Sequence, residues 1–185
     1  MEDNQIVALY WARNEQALAE TAAKYGRYCY TIAYNILSSR EDADESVNDT
    51  YMSAWERIPP HEPTILSAFL GKIARRISLN RWRNNNRKKR GGGEVILALE
   101  ELRECIPASE DVERRMEQKE LSRAITRFLE EIPETERDVF VCRYWYLANI
   151  KKLSKAFGFT ESKTKSMLHR TRIRLKAYLT QEGLL

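Results

Sequence analysis

Apolar side chains recur along most of this chain at spacings of three and four residues, which is the period of an amphipathic α-helix. Strand-like alternation is scarce, and only seven glycines and five prolines interrupt 185 residues. The sequence therefore predicts an all-α protein. The periodicity places its helices at 5–37 (in two pieces), 42–57, 65–87, 95–105 and 118–147, the last range again in two pieces because Pro133 occupies a first-turn position.

The stretch 153–179 has the pattern of two helices around a tight turn. Gly158 follows the first apolar stripe, and glycine tolerates the left-handed backbone that ends many helices. Thr160 stands where an N-cap belongs, since its hydroxyl can accept a backbone N–H. Between residues 148 and 180 there are nine Lys or Arg and one acid, Glu161. This pattern predicts a helix-turn-helix whose second helix enters the DNA major groove. The alternative is an ordinary amphipathic hairpin with a solvated charged face.

Acidic and basic residues are segregated along the chain, although the formal net charge is only +4. The segment 41–56 carries six acids and no Lys or Arg. Some of these acids suit the positive end of a helix dipole, but their number also predicts a basic partner. The segment 72–90 carries nine basic residues and no acid. Such like charges repel each other unless an anion binds, and the phosphate backbone of nucleic acid is the natural anion.

Three consecutive glycines at 91–93 predict a domain boundary. We expect one domain over 1–90, a linker over 91–117 with an acidic composition, and a second domain over 118–185. The two small helical domains would then be joined by a flexible segment.

The composition also predicts several absences. No apolar run is long enough to span a bilayer and the N-terminus lacks a signal-peptide pattern, so we expect a soluble cytoplasmic protein without membrane insertion. The three cysteines, Cys29, Cys105 and Cys142, are widely separated and form no metal-binding motif. We therefore expect neither a disulfide nor a metal site, and no cofactor.

Three motifs resemble those of the extracytoplasmic-function sigma factors, the small bacterial initiation factors of the sigma-70 superfamily. Residues 42–49, DADESVND, are similar to the family's DAEDLVQE, and 53–55, SAW, to its RAW. Residues 69–80, FLGKIARRISLN, resemble WLFRIARNLALD, and 161–172, ESKTKSMLHRTR, resemble EGTVKSRLHRAR. The motifs occur in the family's order, and the resemblance covers nearly the whole chain.

The resemblance implies that the protein binds core RNA polymerase and directs promoter-specific initiation, with no catalytic residues of its own. The domain at 1–90 would be the region 2-like domain, which binds polymerase and recognises and melts the −10 element. The domain at 118–185 would be the region 4-like domain, which binds the −35 element. The implied partners are promoter DNA, the clamp coiled coil of the largest polymerase subunit, the flap of the second-largest subunit and an anti-sigma factor.

The motifs carry the family's binding positions onto this chain residue by residue. The implied polymerase-binding residues are Asp42, Asp44, Glu45, Asn48 and Asp49. The implied −10 contacts are His61, Glu62, Thr64, Lys72, Arg75, Arg76, Asn80 and Arg83. The implied −35 contacts are Ser162, Lys163, Lys165, Ser166, His169, Arg170 and Arg172. Within the last set, we assign Lys163 and Arg172 to phosphates.

Two departures from the family pattern leave the base preferences open. The loop at 58–64, IPPHEPT, differs from the common consensus. Met167 and His169 replace residues that are often basic or aromatic.

Two other classes of function compete with the sigma-factor interpretation. A nuclease or recombinase needs clustered carboxylates for metal ions or a nucleophile beside a base, whereas the acids here follow one amphipathic helix. A polymerase-independent helix-turn-helix repressor or activator would usually bind a palindrome as a dimer. That second class leaves the acidic helix without a role.

Overall fold

A computed structural model of the protein describes residues 1–86, 93–106 and 115–185. The side chains of residues 86, 94 and 115–118 are not part of this description. Every regular element in the described ranges is an α-helix, which confirms the all-α prediction. The chain divides into two compact units, Met1–Gly91 and Gly92–Leu185, hereafter the first and the second unit.

The first unit contains four helices. They are α1 (Asp3–Trp11), α2 (Gln16–Leu37), α3 (Arg40–Arg57) and α4 (Leu66–Asn86). Helices α2, α3 and α4 pack on one another around a core that includes Ile32, Ile36, Ala43, Ala54, Leu70 and Ala74. Helix α3 begins at Arg40, two residues earlier than predicted and directly after its cap Ser39, whose hydroxyl accepts the backbone N–H of Asp42 at 3.2 Å. Residues 87–90, the end of the basic segment, lie outside the described residues.

The second unit contains five described helices. They are α5 (Gly93–Arg103), α6 (Arg115–Glu131), α7 (Glu134–Tyr144), α8 (Ile150–Phe157) and α9 (Glu161–Gln181). Helix α9 packs against α6, α7 and α8 and supplies much of the core. The buried apolar residues include Phe128, Val139, Phe140, Leu153, Leu168, Leu175 and Leu179.

The prediction of a linker from 91 to 117 is wrong for the part that forms α5. This helix contacts α7, and Val95, Ala98 and Cys105 are buried with 6%, 1% and 2% exposure. The acidic composition suggested a solvated segment, but the apolar residues follow one face and pack into the second unit. The remainder of the predicted linker, at 107–114, lies outside the described residues.

The predicted helix-turn-helix is present as α8, a short turn and α9. Gly158 ends α8 with a φ of 66°, and the Thr160 hydroxyl caps α9 by accepting the N–H of Lys163 at 3.1 Å. Both local predictions are confirmed. The two helices are also joined by a buried hydrogen bond of 2.9 Å between the hydroxyls of Ser154 and Thr164.

Replacing Thr164 by valine tests how much this hydroxyl pair stabilises the helix-turn-helix. Valine keeps the shape of threonine, and Ser154 can still donate to the carbonyl of Ile150 at 2.9 Å. We therefore expect the second unit to lose about 1 kcal/mol of unfolding free energy, the value of one buried hydrogen bond. Urea unfolding should show this shift. The control is Thr180→Val, where the hydroxyl is exposed and bonds only its own helix; equal losses in both variants would contradict the prediction.

Candidate nucleic-acid and protein-binding surfaces

One face of α9 gathers most of the residues predicted to bind the −35 element. Thr164, Leu168, Thr171 and Leu175 are buried and turn this helix toward the core. The opposite face is exposed, and we call it the recognition surface. It consists of Ser162, Lys163, Lys165, Ser166, His169 and Arg170.

Lys163 lies at the edge of this surface, beside the turn. Its ammonium group lies 3.9 Å from the centre of the Phe159 ring, a cation–π contact.

Arg172 does not lie with the other predicted −35 residues. Its side chain is 12% exposed, and its guanidinium lies 3.6 Å from Glu101 and 3.7 Å from Glu104, both on the α5 side of the unit. It also donates a hydrogen bond of 2.7 Å to the hydroxyl of Tyr144. Because these groups already hold the guanidinium inside the second unit, we no longer assign Arg172 to a phosphate.

Arg172 belongs instead to a polar cluster, which we call the clasp: Glu101, Arg143, Tyr144 and Arg172. Arg143 is fully buried, and two of its nitrogens bind the two carboxylate oxygens of Glu101 at 3.2 and 3.3 Å. A third nitrogen donates to the carbonyl of Ala148 at 3.2 Å. The Tyr144 hydroxyl donates to Glu101 at 2.9 Å. Burial and the neighbouring carboxylate raise the pKa of Tyr144.

Sequence reasoning missed the clasp, although one signal could have revealed it. Arg143 interrupts the run 139–147, in which most other residues are apolar or aromatic. A charged residue at such a position indicates a buried charge with a partner. Nothing in the local sequence identifies Glu101, which is 42 residues away, as that partner.

A second positively charged surface follows α4. Lys72, Arg76, Asn80 and Arg83 are exposed at steps of four, four and three residues, and we call them the basic stripe. The core side of α4 is formed by Leu70, Ile73, Ala74 and Ser78.

The predicted single-strand contacts precede this helix. His61, Glu62 and Thr64 are all exposed in the loop between α3 and α4. The ring of His61 lies 6.5 Å from that of Phe69 in the first turn of α4. The loop residues therefore lie near the start of the helix that carries the basic stripe.

Arg75 is separated from the basic stripe. It is only partly exposed, and burial lowers the pKa of its guanidinium. Its partial burial distinguishes it from the exposed side chains of the stripe. Arg75 is therefore the one predicted −10 residue that the structure does not bring to this surface.

The predicted polymerase-binding residues lie along α3 and form what we call the acidic surface: Asp42, Asp44, Glu45, Asn48 and Asp49. Three of them share one arginine of α4. Arg81 lies 2.7 Å from Asp49 and 4.0 Å from Asp42, and it also binds Glu45. The hydrogen bond to Glu45 raises the pKa of the Arg81 guanidinium.

Asp44 and Asn48 occupy a different side of α3. They border a cleft against α2 that is also lined by Arg27, Tyr30 and Tyr51. The predicted polymerase-binding set is therefore divided between two neighbouring faces of the same helix.

Neither metal-binding clusters nor membrane-spanning segments are found among the described residues. No group of three or more His, Cys, Asp and Glu side chains in these ranges could hold a metal ion. No helix in the same ranges is long and apolar enough to cross a membrane.

The thiols of Cys29 and Cys105 are buried. Burial raises the pKa of Cys29 to about 12 and that of Cys105 to about 11.

Sequence and structure comparisons relate this chain to known proteins. The family model of Sigma-70 region 2 matches residues 21–88, which cover the acidic surface, the loop and the basic stripe. The chain is 24% identical over 156 residues to the ECF RNA polymerase sigma factor SigM of Bacillus subtilis (strain 168), covering 83% of this chain and 91% of SigM. A solved structure of CnrH in complex with the cytosolic domain of CnrY is 21% identical, with 97% of each chain covered and a TM-score of 0.42.

The matched residues, 21–88, lie within the first unit, which is therefore similar to Sigma-70 region 2 over most of its length. This match and the similarity to SigM together support the resemblance to the extracytoplasmic-function sigma factors of the sigma-70 superfamily. Sigma factors are non-enzymatic initiation factors, so the same matches support a binding role rather than catalysis.

Proposed function

We propose that this sigma factor binds core RNA polymerase through the acidic surface and selects promoters through two DNA-binding surfaces. The recognition surface of α9 would read the −35 element. The basic stripe of α4 and the loop before it would recognise and melt the −10 element. The observation that carries the proposal is the segregation of charge among the helices, since the acidic residues follow α3 whereas the exposed cations follow α4 and α9.

The argument for −35 reading rests on the position of the exposed residues in α9. In helix-turn-helix proteins, the N-terminal residues of the second helix meet base edges in the major groove. Lys165, Ser166, His169 and Arg170 lie in the first half of α9 and are exposed. Lysine and arginine can bind the O6 and N7 atoms of guanine. Lys163, beside the turn, is suited to a phosphate.

The argument for −10 recognition rests on charge and on the neighbouring loop. Lys72, Arg76 and Arg83 present three cations along one line of α4, and a phosphate backbone can follow such a line. His61, Glu62 and Thr64 offer a ring and hydrogen-bonding groups in an exposed loop. Such groups suit a base that has left the duplex stack.

The protein partners complete the proposal. The acidic surface is complementary in charge to a basic coiled coil, such as the polymerase clamp of the family. The second unit would contact the flap of the second-largest subunit. An anti-sigma factor would regulate the protein by covering the acidic and basic surfaces that polymerase and DNA need.

Run-off transcription with purified core polymerase tests this function. The template is a library of upstream sequences, and reactions with and without the protein are compared. We expect start sites that occur only with the protein, and their shared upstream bases define both promoter elements. An absence of new start sites, combined with tight polymerase-free binding to a palindromic duplex, would instead indicate a conventional helix-turn-helix regulator.

A further inference from the structure

Arg81 stands in the basic segment of α4 but contacts acids rather than lying with the basic stripe. Its partners Asp42, Glu45 and Asp49 follow one another on α3 at steps of three and four residues, so they form a single row. Asn85, one turn further along α4, donates a hydrogen bond of 3.3 Å to Asp42. Helix α4 therefore holds this row of carboxylates from one side.

The row remains open on its other side. The Arg81 side chain is 19% exposed, whereas those of Asp42, Glu45 and Asp49 are 33%, 64% and 49% exposed. A carboxylate has about four acceptor sites, and Arg81 occupies only part of them. Three carboxylates and one guanidinium leave the cluster with a net charge of −2. A basic partner can thus bind the same carboxylates while Arg81 stays in place.

Without a cation between them, the three carboxylates would repel one another and turn apart, because acids at such spacings on a helix destabilise each other. The planar guanidinium fork fixes two carboxylates in a defined geometry. Side chains that are ordered before binding lose less conformational freedom when the partner arrives.

From this geometry we propose that Arg81 is a positioning residue for polymerase binding, which orders Asp42, Glu45 and Asp49 for a basic partner. The inference rests on the proposed function, since it assumes that the acidic surface is the polymerase contact. It gives Arg81 a role separate from DNA binding, although Arg81 lies between Asn80 and Arg83 of the basic stripe.

The test measures association and dissociation of the full chain with immobilised core RNA polymerase at several salt concentrations. For Arg81→Gln we expect dissociation to be about 10-fold faster, because the carboxylates must now be ordered during binding. Association should not slow down. It should become faster and more sensitive to salt, because the cluster charge changes from −2 to −3.

Two further variants make the result specific. Arg81→Lys keeps the charge but lacks the fork, so we expect a dissociation rate between those of the wild type and Arg81→Gln. Lys24→Gln removes the same charge from α2, where Lys24 pairs with Asp3 at 2.7 Å and belongs to none of the proposed binding surfaces, and it should leave the dissociation rate unchanged. Circular dichroism of each variant checks that the helices remain formed.

An unchanged dissociation rate in Arg81→Gln would overturn the inference. Tighter overall binding of this variant would overturn it too, because it would show that Arg81 competes with the partner for the carboxylates. If Arg81→Gln does not fold, a wild-type dissociation rate in Arg81→Lys overturns it equally. A wild-type protein that does not bind core polymerase would overturn the proposed function itself, and the inference with it. The two failures are therefore distinguished by the behaviour of the wild type.

Discussion

Replacing Glu101 by glutamine is expected to destabilise the second unit by about 3 kcal/mol, the lower end of the effect of breaking a buried ion pair. Arg143 is fully buried and binds both carboxylate oxygens of Glu101. In the variant, Arg143 keeps its charge but faces a neutral amide. Arg172 loses one of its two carboxylates at the same time.

Labelling of Cys105 measures this effect directly. Cys105 lies just after α5, is 2% exposed, and has a thiol whose pKa burial raises to about 11. Its thiol should therefore react slowly while α5 is docked. In a background with Cys29 and Cys142 replaced by alanine, we expect Glu101→Gln to react roughly 100-fold faster, since each 1.4 kcal/mol is a factor of ten.

Glu100→Gln is the matched control for this experiment. Glu100 is the exposed neighbour of Glu101 in the same helix, so its replacement removes the same charge without touching the clasp. Labelling of the control should match that of the parent. If Glu101→Gln also labelled at the parent rate, the docking of α5 would not depend on the clasp.

Replacing Lys165 and Arg170 by alanine is expected to relax −35 selection while leaving the fold intact. Both side chains are exposed on the recognition surface, so their removal creates no cavity. A good bidentate contact to a base contributes about 1–3 kcal/mol of discrimination. Each substitution should therefore lower the preference for one −35 base by roughly 5- to 150-fold.

Two controls separate base reading from general affinity in the run-off library. Lys163→Ala should weaken binding to all promoters alike and reduce the salt dependence, because Lys163 is assigned to a phosphate. Arg174→Ala should have no effect on selection, since Arg174 pairs with Glu136 at 2.9 Å. Unchanged promoter choice in the Lys165 and Arg170 variants would argue against the recognition surface as the −35 reader.

Local sequence determines much of the first unit and of the helix-turn-helix. Ser39, Gly158 and Thr160 act on the backbone within three or four residues, so their capping and turn roles could be predicted without knowing the fold. The exposed face of α9 follows in the same way. Once Leu168 and Leu175 are buried, helical geometry alone turns Lys165 and Arg170 outward.

The ion-pair partners of the charged residues could not be predicted from the local sequence. Arg81 and Glu45 are 36 residues apart, and Arg143 and Glu101 are 42 residues apart. Periodicity shows which face of a helix a residue occupies, but not which other helix packs there. For this reason the sequence could not reveal that Arg172 pairs with Glu101 and Glu104, or that α5 packs on α7.

The sequence by itself thus determined the helices, the turn before α9, and the segregation of acidic from basic segments, because these depend on neighbouring residues. Only the tertiary structure decided which charges stay available to partners. Packing of α5 on α7 turns Glu101 toward Arg143 and Arg172, and packing of α4 on α3 turns Arg81 toward the acids. An ion pair forms where the fold brings opposite charges within a few ångströms, whatever their separation along the chain.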